Sequence, residues 1–271
     1  MATKLPAIAC STMELAFLAG LLGAESLTGV PDPFEGWSGD DVEAVWAEVR
    51  RSLAGRRLLS IMADGSICVE AAVAELVGTC GFAEATFMLT YSSADGITAG
   101  HHFHVIRQSA VELVLGYEGE MTCRLTALDT PAVMDRVSSI FRLDGQEAPS
   151  VPSGRLTEPD MRLARQLAEA AGREAAEPHL LGLGFCPETA AALAETLARP
   201  LGNGALVAVS ADQSDFGVDG LALLEGECGM WLLRNVQESG ARWVDVVPCT
   251  AAALREFIRS IMNRALPGKL L

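Results

Sequence analysis

Apolar residues along this chain recur first at a helical spacing and then at a spacing of two, and the change happens twice. Ser11 with Glu14 is a capping box and predicts a short apolar helix over Glu14 to Leu22. The prolines and glycines between Pro31 and Gly39 predict a loop. Ser38, Asp40 and Asp41 open the next helix, whose Val42, Val45, Trp46, Val49 and Leu53 are spaced for one buried face. Arg50, Arg51, Arg56 and Arg57 gather at its C-terminal end, where the helix dipole favours cations. After an Asp64-Gly65 turn, a further helix carries Val69, Val73, Leu76, Val77 and Cys80 inward.

Beyond Gly81 the period becomes two. Strands are expected at Ala85 to Tyr91, Thr98 to Arg107, Val111 to Tyr117 and Met121 to Leu128, with turns at Asp95-Gly96 and Glu118-Gly119. Asp129-Thr130-Pro131 then caps a helix with Val133, Val137, Ile140 and Phe141 inward. Asp144 to Thr157, rich in Pro, Gly and Ser, is expected to be a linker. The pattern then starts again. Helices at Pro159 to Glu174, with Leu163, Leu167 and Ala171 inward, and at Pro187 to Ala198 precede strands at Ala205 to Ser210, Val218 to Glu225, Met230 to Arg234 and Trp243 to Val247. Thr250 caps a last helix carrying Leu254, Phe257, Ile258, Ile261 and Met262.

The same elements follow in the same order at a displacement of about 118 to 121 residues, which is the signature of duplication. Val133, Val137, Ile140 and Phe141 fall on Leu254, Ile258, Ile261 and Met262. The fold expected is α+β, a doubled unit of two helices, a four-stranded antiparallel sheet and a closing helix. The units are 1–143 with its N-terminal helix and 158–271, joined by 144–157. Each four-stranded sheet is a thin enclosure by itself, so the halves are expected to pack as a pseudo-two-fold pair, as in one continuous sheet with helices on one side.

Composition narrows the function classes. Twenty Lys and Arg against 35 Asp and Glu give a net charge of −15, which repels nucleic acid and anionic membranes and leaves a protein partner as the expectation. The seven cysteines are scattered, without a C-x-x-C pair, as suits core thiols in a reducing cytoplasm. Leu5 to Cys10 resembles a lipoprotein cleavage site but is too short for a signal core, and Met13 to Leu22 falls short of the roughly 20 residues of a span. Neither a signal nor a membrane segment is expected.

The candidate chemistry is sparse. His102 and His104 would share one face of a strand at a spacing metals use, but a third ligand is missing, and His101 is read as the rim of the sheet. Gly36-Trp37-Ser38-Gly39 has Asp40 where a nucleophile elbow needs glycine, and no strand precedes it. Cys186, beside Pro187 at a helix start, reads as a cap before it reads as a nucleophile. Asp215-Phe216-Gly217 lacks every companion motif of a kinase, and the Gly182 and Gly202 turns lack the spacing of phosphate cradles. A winged helix-turn-helix with Val69 to Thr79 as recognition helix would turn Glu70 and Glu75 toward phosphates. No catalytic residue, cofactor or metal is expected. The partner-binding candidates are Phe216, Trp37, His101 and His102.

Asp215 to Val218, Gly229-Met230-Trp231-Leu232-Leu233, and Trp243 to Pro248 ahead of a final amphipathic helix together resemble the C-terminal signature of the EspG-like family, the chaperones associated with ESX (type VII) secretion. The Glu14-Leu15 helix and Gly55-Arg56-Arg57-Leu58-Leu59 extend the resemblance toward the N-terminus. Met230 and Arg57 depart from it, where the family often has Arg and Gly. The resemblance implies a duplicated sheet-and-helix fold and a non-enzymatic cytosolic chaperone that covers an apolar helical tip of a secretion substrate. The alternatives are an interaction protein on the same doubled fold and, behind it, a metal-dependent enzyme or a winged-helix DNA binder.

Overall fold

The computed structural model describes residues 7–95, 98–116, 122–142, 148–210 and 219–266. The Glu118-Gly119 turn and Phe216 therefore lie outside the described residues. In chain order the elements are β1 (Ala7–Ser11), α1 (Thr12–Leu21), α2 (Gly39–Gly55), β2 (Leu59–Ile61), β3 (Ile67–Val69) and α3 (Ala71–Gly81). Then come β4 (Ala85–Ser93), β5 (Thr98–Ile106), β6 (Ser109–Leu115), β7 (Thr122–Asp129) and α4 (Thr130–Ile140). The second half holds β8 (Gly154–Thr157), α5 (Glu158–Ala171), α6 (Arg173–Gly182), α7 (Pro187–Ala198), β9 (Gly202–Ser210), β10 (Asp219–Gly226), β11 (Gly229–Glu238), β12 (Ala241–Cys249) and α8 (Ala251–Ala265).

Local chemistry sets where the helices start. Ser11 and Glu14 close the capping box of α1, while the side chains of Ser38, Asp129, Thr157 and Thr250 each accept a backbone N–H at the first turn of α2, α4, α5 and α8. Pro131, Pro159 and Pro187 sit in first turns, where a missing N–H costs nothing.

All strands but β2 and β3 join one ten-stranded antiparallel sheet in the order β1-β7-β6-β5-β4-β9-β10-β11-β12-β8. Matched element for element, that order reads the same from either edge, and β4 meets β9 at its centre with Leu89 opposite Leu206. Tyr91 of β4 crosses the junction, its hydroxyl donating to Glu225 of β10 at 3.0 Å. Gly154 to Thr157, expected as the end of a linker, form the edge strand β8 against β12.

The continuous sheet is present, but its helices cover both faces rather than one. Strands β6, β10 and β11 carry apolar residues on both sides, Ala110 and Val111, Leu223 and Leu224, and Leu232 and Trp231, and two apolar faces cannot both be left to water. Over one face, α4 and α8 lie across the centre and bury Phe87, Phe103, Phe141, Leu206, Leu232 and Ile258. On the other, α1, α2 and α3 pack over β6 and β7 around Leu18, Leu53, Val77 and Leu113, while α5, α6 and α7 pack over the far end around Leu193 and Trp231. Each such side chain contributes about 1.5–3 kcal/mol by leaving water. In α5 the inward residues are Met161, Ala164 and Ala168, and Leu163 is exposed, a shift of the expected face by about one residue.

Candidate protein-binding surface

His101 and His102 are consecutive on β5 and therefore point to opposite faces, where both are buried, at 7% and 8% exposure. His101 is not at a rim, because β5 has β4 on one side and β6 on the other. Its Nδ1 lies 2.7 Å from Glu112 Oε1, and Arg136 Nε of α4 reaches both oxygens of Glu112 at 2.9 Å. Burial opposes ionisation of Glu112, but the hydrogen bond with His101 and the charge of Arg136 outweigh it and hold the carboxyl below its usual range. The cluster pins α4 to the sheet.

On the other face His102 and His104 stand with ring centroids 6.4 Å apart. His104 Nδ1 meets Thr86 Oγ1 at 3.1 Å, while His104 Nε2 and His102 Nδ1 have no hydrogen-bond partner among the described residues. Burial pushes both pKa values down, His104 to about 3, so both rings are neutral at pH 7. Gly29 passes directly over His102, so close that a Cβ there would come within 2.8 Å of its ring. No group of three or more His, Cys, Asp and Glu side chains is placed to hold a metal ion among the described residues.

The other motifs resolve into structure. Ser38 Oγ caps α2, and Cys186, expected as a cap, makes no side-chain cap bond to α7 and meets Thr189 Oγ1 at 3.1 Å. The helix weighed as a recognition helix, α3, buries Val73, Leu76, Val77 and Cys80 in the same core as α1 and β6 and is not free to enter a groove. Burial pushes the Cys80 thiol up, which suits an inert core residue.

What remains is an apolar surface on the first half. The stripe along α2 was expected to be buried throughout, but only its C-terminal part, Val49 and Leu53, is fully buried, with Val45 partly buried against the same core. Trp46, one turn before Val49, is 41% exposed. Trp46 packs edge-on to Phe17 at 5.7 Å and to Phe34 at 6.3 Å, and Phe34 in turn meets Trp37 at 5.8 Å, itself 43% exposed. Between this aromatic wall and α1 lies a crevice of 280 Å³ lined by Ala16, Ala19, Gly20, Leu27, Val30, Phe34 and Trp46 among others. A half-exposed aromatic cluster beside an open crevice is a candidate for recognition. Of the expected contact residues, Trp37 belongs to it, while His101 and His102 present no ring to solvent. Trp46 and Phe34 were missed, because helical spacing marks a stripe as apolar without saying whether anything covers it.

Neither a protein-family model nor a curated protein matches this sequence. Structure does. EspG5, a type VII secretion system chaperone of Mycobacterium tuberculosis solved in complex with the PE25–PPE41 dimer, aligns with a TM-score of 0.67 over 97% of this chain and 98% of its own, at 13% identity. This chain has the EspG5 fold. The α+β architecture and the resemblance read from the sequence agree with EspG5 at the level of fold. HtdX of Mycobacterium tuberculosis, at 15% identity over 89% of this chain, has a TM-score of 0.16, too low to mark a common fold. No described helix is long and apolar enough to cross a membrane.

Proposed function

We propose that this chain is a non-enzymatic protein-binding module, a cytoplasmic chaperone or adaptor for a helical secretion substrate of the type VII kind. The observation that carries the reading is the match in fold to EspG5 over nearly the whole of both chains, a scaffold on which function is set by the surface it presents. The acidic charge and the half-exposed aromatic cluster at Trp37, Phe34 and Trp46 support it. Trp37 is proposed as a contact, and Phe216, which precedes β10 in the sequence, as a second. His101 and His102 serve from beneath, as buried supports of the sheet. The symmetry of the strand order supports descent of 1–143 and 158–271 from one duplicated unit.

Co-expression with a PE–PPE-type dimer, followed by affinity capture through this chain, tests the proposal. A stoichiometric complex is expected. A chain that captures no helical dimer, or whose captured partners lack helical secretion substrates, contradicts it.

A further inference from the structure

From Leu5 to Val49 the chain carries no Lys, Arg or His, although it makes β1, all of α1, the α1–α2 loop and the exposed half of α2. The aromatic crevice lies inside this stretch. Glu25 and Asp32 line its mouth, and Glu35, Asp40, Asp41 and Glu43 follow on the same exposed loop and helix start. Among the described residues, no basic side chain lines it. The first cation along α2 is Arg50, whose Nε is turned back on the Trp46 carbonyl at 3.4 Å.

Three features fix what such a site takes. At 280 Å³ the crevice falls below the roughly 300–1,000 Å³ of a small-molecule pocket and matches a single large side chain. Its walls are alanine, glycine, aliphatic and aromatic, so that side chain is apolar. Carboxylates of one sign beside the half-exposed Trp37 and Trp46 rings favour cations next to the anchor, through charge and through the ring faces.

We infer that the crevice between α1 and Trp46 docks a basic segment of a protein partner, one bulky apolar side chain seated in the crevice and Lys or Arg on either side of it over the acidic rim. A second copy of this chain is the poorer occupant, because it brings another −15 of like charge. The inference rests on the protein-binding reading above and names the partner chemistry of that surface.

Gly20 supplies the test variant. It lines the crevice from α1, it is exposed, and a Cβ added there meets nothing within 4 Å, so Gly20→Leu fills the opening while favouring the helix. Labelled synthetic helical peptides are titrated onto the full chain by fluorescence anisotropy. One carries a phenylalanine with lysines one turn away on both sides, a second has serine for the phenylalanine, and a third has glutamates for the lysines. The first is expected to bind and to weaken as salt rises, and the other two to bind at least about tenfold more weakly. Gly20→Leu and the Glu25→Lys/Asp32→Lys double variant are each expected to lose about tenfold for the first peptide with an unchanged melting temperature. Equal binding of all three peptides, or binding indifferent to Gly20→Leu, overturns the assignment. So does a dimer of this chain that Gly20→Leu dissociates. Absence of peptide binding in a chain that still captures a PE–PPE-type dimer removes the crevice assignment and leaves the chaperone reading in place. Peptide binding without dimer capture does the reverse.

Discussion

Glu14 and Arg56 meet at 2.9 Å, and through them the opening helix is tied to the end of α2. Glu14 is the third residue of the capping box, accepting from the Ser11 N–H, and it also accepts from Ser52 Oγ at 2.7 Å. Arg56 reaches on to the carbonyl of Ala9 in β1. The two segments that resemble the EspG-like pattern outside the C-terminal region therefore touch each other. Glu14 is buried and serves three donors, so Glu14→Ala is expected to lower stability by about 2–4 kcal/mol. Arg56 is nearly half exposed, and Arg56→Ala is expected to cost about 1 kcal/mol or less. Urea unfolding of both variants checks the ratio.

The junction of the halves depends on a missing side chain. A Cβ on Gly204 of β9 would lie 2.7 Å from Phe141 Cε1 and 2.8 Å from the Thr90 carbonyl of β4. The carbonyl belongs to the paired strand and cannot move without opening the β4–β9 ladder. Gly204→Ala is expected to cost about 2 kcal/mol or more, whereas Gly78→Ala in α3, with open space around its Cβ, is expected to be neutral or slightly stabilising. Thermal melts of the pair separate the two effects.

Acid is expected to weaken the fold through His104. Its folded pKa is about 3 and its unfolded value about 6.5, so the neutral ring's contribution is whole above pH 6.5 and is lost as pH falls toward 3. Between pH 7 and pH 5 that is a loss of about 2 kcal/mol. Glu112 and Asp245, held low by their partners, stay charged over the same window. Stability measured by urea at both pH values should fall for the native chain, and should fall much less for the Thr86→Val/His104→Leu variant.

Exposure separates the aromatic residues. Trp37→Ala is expected to change stability by less than about 1 kcal/mol and to weaken capture of a protein partner by about tenfold. Phe17, buried under Trp46, is expected to cost about 3–5 kcal/mol when replaced by alanine. Partner capture and melting temperature, measured on the same preparations, distinguish a contact residue from a core residue.

Much of the fold was legible because local rules and packing agree. The closing helices are the clearest case, since α4 and α8 bury the spaced residues that their periodicity singles out, Val133 and Val137 in one and Leu254 and Ile258 in the other. The losses have physical causes. Strands β1 and β8 are short edge strands held by one neighbour each, too brief to show alternation, and β8 sits in a stretch whose Pro and Ser content reads as linker. Helix α6 carries Pro178 inside it, which argues against a helix locally. Coverage of both faces was hidden because alternation within a strand shows only that its two sides differ. The surface was half legible. Trp37 stood out in a loop, while Trp46 was read as core, since periodicity cannot tell an apolar stripe that is covered from one that is open.

The most direct measurement is light scattering on a size-exclusion column of this chain mixed with a helical PE–PPE-type dimer. The account predicts one peak whose mass is the sum of the partners, and dissociation of that complex by Trp37→Ala/Trp46→Ala in a chain that remains folded. Separate peaks at the masses of the free components would contradict it.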